Sequence, residues 1–169
     1  MDLSGPWKAA PLNAELNRSG ADPDLDDDAW ATITVPGHWD ETNAFAGVTE
    51  PILHRRRFIT DGPAPDKRAW LCFDGVIAQS EVWLDGDYLG DTNGYFVPHQ
   101  FEVSDPLRAR DEHLLAVEVA CTPASPSRPK QSVTGSLQTG PLAPRGNPGG
   151  IWRPVRIEHP GPAAIMFSR

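Results

Sequence analysis

Apolar residues along this chain recur at every second position in many short stretches, and no helical repeat of them persists for three turns. A period of two marks a half-buried strand. Ala31-Thr32-Ile33-Thr34-Val35 alternates and stops at Pro36-Gly37. Ile52 to Thr60 is rich in β-formers but interrupted by Arg55-Arg56-Arg57, so one of its faces meets water or a polar groove. Trp70 to Phe73 runs apolar into Asp74-Gly75. Glu81 to Leu84 and Tyr88 to Gly90 flank Asp85-Gly86, a pair suited to the positive φ angles of a type I′ hairpin. Phe96-Val97 and Phe101 to Val103 supply a further short strand with Pro98 at its edge. Leu115, Val117, Val119 and Cys121 share one strand face, and Val155 with Ile157 marks the last strand. About eight or nine strands parted by turn residues predict an all-β sandwich or barrel. Asp26 to Trp30 and Ser104 to Leu107 carry helix-start chemistry and predict single helical turns.

Composition narrows the function. The 169 residues suffice for one domain with a sizeable core. The 18 prolines are barred from helix interiors and central strand positions, so they cut the chain into short pieces. A net charge of −8 argues against nucleic acid, whose phosphates call for a basic face. No apolar run approaches the roughly 18 residues of a membrane span. The N-terminus shows no basic segment followed by an apolar one, which leaves the compartment open and favours the cytoplasm. Cys72 and Cys121 sit among apolar neighbours and read as free thiols, with a single disulfide left open. From Cys121 to Gly150 the chain is irregular and rich in Pro, Ser and Gly; a connection of that length is functional or disordered.

Several local patterns then occur in a fixed order. Leu3-Ser4-Gly5-Pro6-Trp7 opens the chain; Asp28-Ala29-Trp30 precedes Ile33-Thr34-Val35-Pro36-Gly37-His38-Trp39. Arg57-Phe58, Leu71-Cys72-Phe73-Asp74-Gly75-Val76 and Val82-Trp83-Leu84-Asp85-Gly86 follow. Gly94-Tyr95-Phe96-Val97-Pro98, Phe101-Glu102-Val103 and Asn147-Pro148-Gly149-Gly150-Ile151-Trp152-Arg153-Pro154-Val155 complete the series. In that order they resemble the N-terminal sugar-binding domain of family 2 glycoside hydrolases, the group of β-galactosidases, β-glucuronidases and β-mannosidases. The resemblance implies a jelly-roll β-sandwich of the galactose-binding kind. It also implies an immunoglobulin-like sandwich and a catalytic TIM barrel further along the parent polypeptide, as partners of this domain. On that reading residues 1–159 form the sandwich, and 160–169 lead towards a downstream domain.

Catalytic residues are not expected in this chain. Retaining glycosidases hold two carboxyl groups about 5 Å apart, and a barrel to carry them needs roughly 250 residues. The family's acid/base glutamate follows an asparagine, and none of the five asparagines here precedes a glutamate. The parent is expected to be an O-glycosyl hydrolase and this chain its accessory, carbohydrate-binding piece, weak when isolated. A free-standing binding module or lectin of the same fold is the alternative, and a scaffold without sugar contact a third.

Candidate sugar contacts are Trp39, Asn93 and Tyr95 in loops, and Gln138, Arg145 and Asn147 in the long connection. The last three are considered because family members offer an aspartate from that connection, whereas Val119 to Ile157 contains no Asp or Glu. Trp7, Trp30, Trp83 and Trp152 are expected in the core. The acidic run Asp22 to Asp28 fails the EF-hand pattern, with Asp27 at the sixth position and Ile33 at the twelfth. It reads as a solvated loop, with a different calcium site left open. Arg55, Arg56 and Arg57 are expected to pair with surface carboxylates rather than to form an anion subsite. The five histidines lack ligand spacing, so neither a metal nor a cofactor is expected.

Overall fold

The computed structural model describes residues 1–121 and 147–160. They form two antiparallel sheets packed face to face. The first strands are β1 (Gly5–Pro11), β2 (Ala31–Val35), β3 (Ile52–Ile59), β4 (Trp70–Phe73) and β5 (Gln79–Leu84). The rest are β6 (Asp87–Asn93), β7 (His99–Glu102), β8 (Glu112–Ala120) and β9 (Val155–Glu158). The large sheet runs β2-β1-β3-β8-β5-β6 and the small one β7-β4-β9. This is a jelly-roll sandwich.

Alternation decides which side chains enter the core. On β8, Leu115, Val117 and Val119 face inward with the Ile52 and Phe58 side of β3 and with Ser80, Val82 and Leu84 of β5. Trp7 and Ala9 of β1, Ile33 and Val35 of β2, Leu71 and Phe73 of β4, and Val155 and Ile157 of β9 complete that core. β8 is also buried on its outer side at Leu114, Ala116 and Ala120, as befits a strand in the middle of the sheet. The β5–β6 hairpin turns at Asp85 (φ 55°) and Gly86 (φ 90°), with Leu84 paired to Asp87: the two-residue geometry that Asp-Gly predicts. Asp85 also locks the turn onto β8. Its Oδ1 accepts the Leu114 N–H (2.8 Å) and its Oδ2 lies 2.7 Å from His113 Nδ1.

Three local expectations change. β1 was not visible as a strand, because Gly5-Pro6 and Pro11 bracket it and Lys8 and Ala10 dilute its alternation. Phe96 and Val97 lie in the bend between β6 and β7 rather than in a strand. Asp26 to Trp30 forms a turn closed by Trp30 N–H on Asp27 O (3.0 Å), not a helical turn. Ser104 to Ala109 is helical as expected (α2), and a short helix α1 (Leu16–Ser19) precedes Gly20, which packs against Leu53. Cys72 and Cys121 are buried free thiols, and burial pushes them up to about 11 and about 12.

Candidate functional site

One end of the sandwich gathers most of the unusual sequence. Four segments meet there: Pro36 to Trp39, Asp74 to Ala78, Asn93 to Pro98, and Asn147 to Pro154. The last of these threads between the first two. Gly37 N–H donates to Ile151 O (2.9 Å) and Trp39 N–H to Gly149 O (3.0 Å). On the other side Ile77 and Gly150 exchange both backbone hydrogen bonds (2.9 and 3.0 Å), and Asp74 N–H donates to Pro154 O (3.1 Å). These bonds pair backbone groups of the strap that a loop would otherwise bury unsatisfied. Its two glycines are required by this close passage. A β-carbon on Gly150 would lie 2.6 Å from Gly37 O, and Gly150 has φ +142°.

The strap presents Trp152 at the surface. Its Nε1–H donates to Tyr95 O (2.9 Å), His38 stacks on its ring (6.2 Å, 11°), and the Arg153 guanidinium sits 4.5 Å from the ring centroid. Phe96 meets Trp152 edge-on at 5.5 Å. Phe96 is 63% exposed and Val97 40% exposed, so this end carries an apolar patch beside a cation.

Of the four candidate contacts among the described residues, Trp39 and Asn147 are engaged within the fold. Trp39 is fully buried in the core at the start of a 3-10 turn (Trp39–Glu41), which leaves no ring face for a sugar. Asn147 is spent on the strap: its amide donates to Cys121 O (2.6 Å) and Val48 O (3.1 Å), and its Oδ1 accepts Gly149 N–H (3.0 Å). Tyr95 is half-buried against the core, and Asn93 is exposed at the end of β6. Gln138 and Arg145 lie outside the described residues. The tryptophans divide differently from expectation. Trp7 is buried, whereas Trp30, Trp83 and Trp152 are only partly so. Trp152, Phe96 and Val97 were the residues missed, and the signal was present: consecutive apolar positions beside glycine, in a stretch without alternation.

The arginine run works on the other side of the molecule. Arg55, fully buried, pairs with Asp27 (3.0 Å), donates to Asp22 O (2.7 Å) and Leu25 O (3.0 Å), and lies under the Trp30 ring (5.5 Å). Arg57 donates to Pro23 O (2.8 Å) and Arg56 to Pro6 O (2.5 Å). Backbone carbonyls rather than surface carboxylates are therefore their main partners. Guanidinium groups take the oxygens of the acidic loop that a cation would otherwise need. Among the described residues no cluster of three His, Cys, Asp or Glu side chains is placed to hold a metal.

Two sheets, Greek-key-like crossovers and a loop-built end define a galactose-binding-like sandwich. Residues 26–152 match the family described as glycosyl hydrolase 2 galactose-binding domain-like, and the chain belongs to that family. A β-galactosidase of Vibrio cholerae is 25% identical over 135 residues, which are 68% of this chain and 13% of that enzyme. A β-glucuronidase of Formosa agariphila is 25% identical over 128 residues, 67% of this chain and 12% of the enzyme. The chain thus spans about an eighth of these relatives. The fold is also that of a β-glucuronidase from an uncultured Clostridium, at a TM-score of 0.68 and 18% identity, covering 93% of this chain and 28% of that one.

Proposed function

We propose that the chain is the N-terminal, catalytically silent domain of a retaining β-glycoside hydrolase, docked through its Phe96–Val97 end onto the rest of the same polypeptide. The apolar patch at that end carries the reading. An exposed Phe and Val beside Trp152 favour a covered surface over a lectin groove, which would be polar. Burying a Phe contributes about 1.5–3 kcal/mol, enough for one such residue to matter to docking. The small share of each relative that the chain spans supports the same conclusion. In this reading residues 160–169 lead towards an immunoglobulin-like domain, and a TIM barrel beyond it supplies the catalytic carboxylates.

The test compares the 169-residue chain with the longer polypeptide on aryl β-galactoside, β-glucuronide and β-mannoside. The chain alone is expected to be silent and the longer polypeptide active. Phe96→Asp in the longer polypeptide should lower activity and thermal stability, while leaving the fold of the isolated chain unchanged. Hydrolysis by the chain alone, or micromolar sugar binding centred on Asn93 to Pro98 in isolation, would overturn the reading. The second outcome would make the chain a self-sufficient binding module.

A further inference from the structure

Arg153 is exposed, yet it is held at its backbone, its stem and its guanidinium. Its backbone N–H donates to Gly75 O (3.3 Å). Gly75 leaves room for the stem: a β-carbon there would lie 3.2 Å from Arg153 Cδ and 2.9 Å from Trp152 Nε1. The guanidinium then sits 4.5 Å from the Trp152 ring centroid. That ring is itself tied down, since its Nε1–H donates to Tyr95 O (2.9 Å). Pro154 further restricts the backbone of the residue before it to extended conformations. An exposed arginine ordinarily samples many rotamers, and here the fold has removed much of that freedom.

No acidic side chain answers this fixed cation. Among the described residues the Arg153 guanidinium takes part in no ion pair and donates no hydrogen bond. Those residues hold all 23 Asp and Glu side chains of the chain, since 122–146 and 161–169 contain neither. Asp74, next to Gly75, is ion-paired with Arg156. The other segments of this end, Pro36 to Trp39, Asn93 to Pro98 and Asn147 to Pro154, carry no Asp or Glu. A chain of net charge −8 thus keeps these segments free of acid and sets an oriented guanidinium among them.

We propose that Arg153 is the charged anchor of the docking end, and that the surface covering Phe96 and Val97 carries an Asp or Glu side chain beside an apolar hollow. The inference rests on the docking reading above and adds to it the chemistry of the partner surface. A guanidinium stacked on an aromatic ring keeps its N–H edges free, and those edges match the two oxygens of a carboxylate. A small anion or a sugar acid would satisfy Arg153 but leave Phe96, which meets the same Trp152 ring edge-on, in water. A partner surface with both features covers both groups at once. Immobilising a long side chain at an interface ordinarily weakens binding, and the fold has already ordered this one.

The experiment places Arg153→Gln, Arg153→Lys and Phe96→Ala in both the 169-residue chain and the longer polypeptide. The thermal midpoint of this domain is measured in each form at roughly 0.05 and 0.5 M NaCl. At the lower salt Arg153→Gln should lower the midpoint in the longer polypeptide by about 4–8 °C. In the isolated chain it should lower it by about 2 °C or less, from the lost ring contact. The difference between the two forms should shrink at the higher salt. Arg153→Lys keeps the charge but not the fork, and should fall between the native protein and Arg153→Gln. Equal Arg153→Gln shifts in the two forms, with Phe96→Ala lowering only the longer polypeptide, would overturn the carboxylate partner and leave the docking reading standing. A raised KM for aryl β-glucuronide alone, with no difference in midpoint, would overturn it by assigning Arg153 to a substrate carboxylate. If neither Phe96→Ala nor Arg153→Gln shifts the longer polypeptide more than the isolated chain, the docking reading fails as well.

Discussion

Gly149 lies flat against the ring of Trp39, so close that a β-carbon would fall 2.2 Å from its Cη2 and Cζ2 atoms. The contact explains why the Pro36-Gly37-His38-Trp39 and Asn147-to-Trp152 patterns occur together. One supplies a buried ring, and the other supplies a backbone with no side chain to obstruct it. Gly149→Ala should therefore destabilise the chain by about 1–3 kcal/mol or more, because Trp39 is fully buried and a close-packed core cannot yield easily. A lowered denaturation midpoint checks this. Gly47→Ala is the comparison: nothing lies within 4 Å of its β-carbon, and the cost is only that of its φ of +75°, about 1–2 kcal/mol.

Asn147 separates a structural role from a sugar contact. Its amide satisfies the Cys121 and Val48 carbonyls and its oxygen accepts the Gly149 N–H, so Asn147→Ala leaves several polar groups in the strap without partners. A loss of about 1–3 kcal/mol is expected in thermal or denaturant unfolding. A residue present only to touch sugar would leave the unfolding transition where it is.

The sandwich was legible because alternation, Asp-Gly and the ordered patterns all act locally. The β5–β6 hairpin shows this best, since Asp85 and Gly86 adopt positive φ for reasons internal to two residues. The loop-built end was much less legible, because burial in a loop depends on what crosses over it. Trp39 looks like an exposed loop aromatic until Gly149, more than a hundred residues away, covers it. Trp83 looks like core because it alternates with Val82 and Leu84, but alternation only assigns it to a face, and here that face is the outer one. Arg55 was misjudged in the same way. Three adjacent charges suggest solvent, yet the Asp22 to Leu25 loop folds over the strand and closes the site around the first.

That closure predicts a large effect at a position without catalytic meaning. Arg55→Met would leave Asp27, whose side chain is 8% exposed, without its ion-pair partner, and would strip the donors from Asp22 O and Leu25 O. Breaking one half of a buried pair costs about 3–5 kcal/mol. Chemical denaturation should show a loss of that order, and limited proteolysis should find a new cleavage site between Asp22 and Asp28. The double variant Arg55→Met, Asp27→Asn should recover part of the stability, since it removes the stranded charge.

Stability against pH should show two opposed slopes. Burial lowers His54 from 6.5 to about 4, and its Nδ1–H is held by Ile52 O at 3.1 Å. Between those values the unfolded chain takes up a proton that the folded chain refuses, so this group makes stability rise with pH, by at most about 3 kcal/mol. Glu118 acts the other way. Its carboxyl is raised from 4.5 to about 7, so the folded chain keeps a proton that the unfolded chain has released, and stability falls as pH rises through that window. Glu118 is partly open to water, which discounts its share, and the net slope for the native chain should be shallow but upward between about 4.5 and 6.5. Glu118→Gln removes the falling contribution and should steepen the rise; His54→Gln should leave only the fall. Denaturation midpoints measured across that range for the three proteins give both signs directly. A native curve as steep as that of Glu118→Gln would show that Glu118 titrates as an ordinary surface carboxylate.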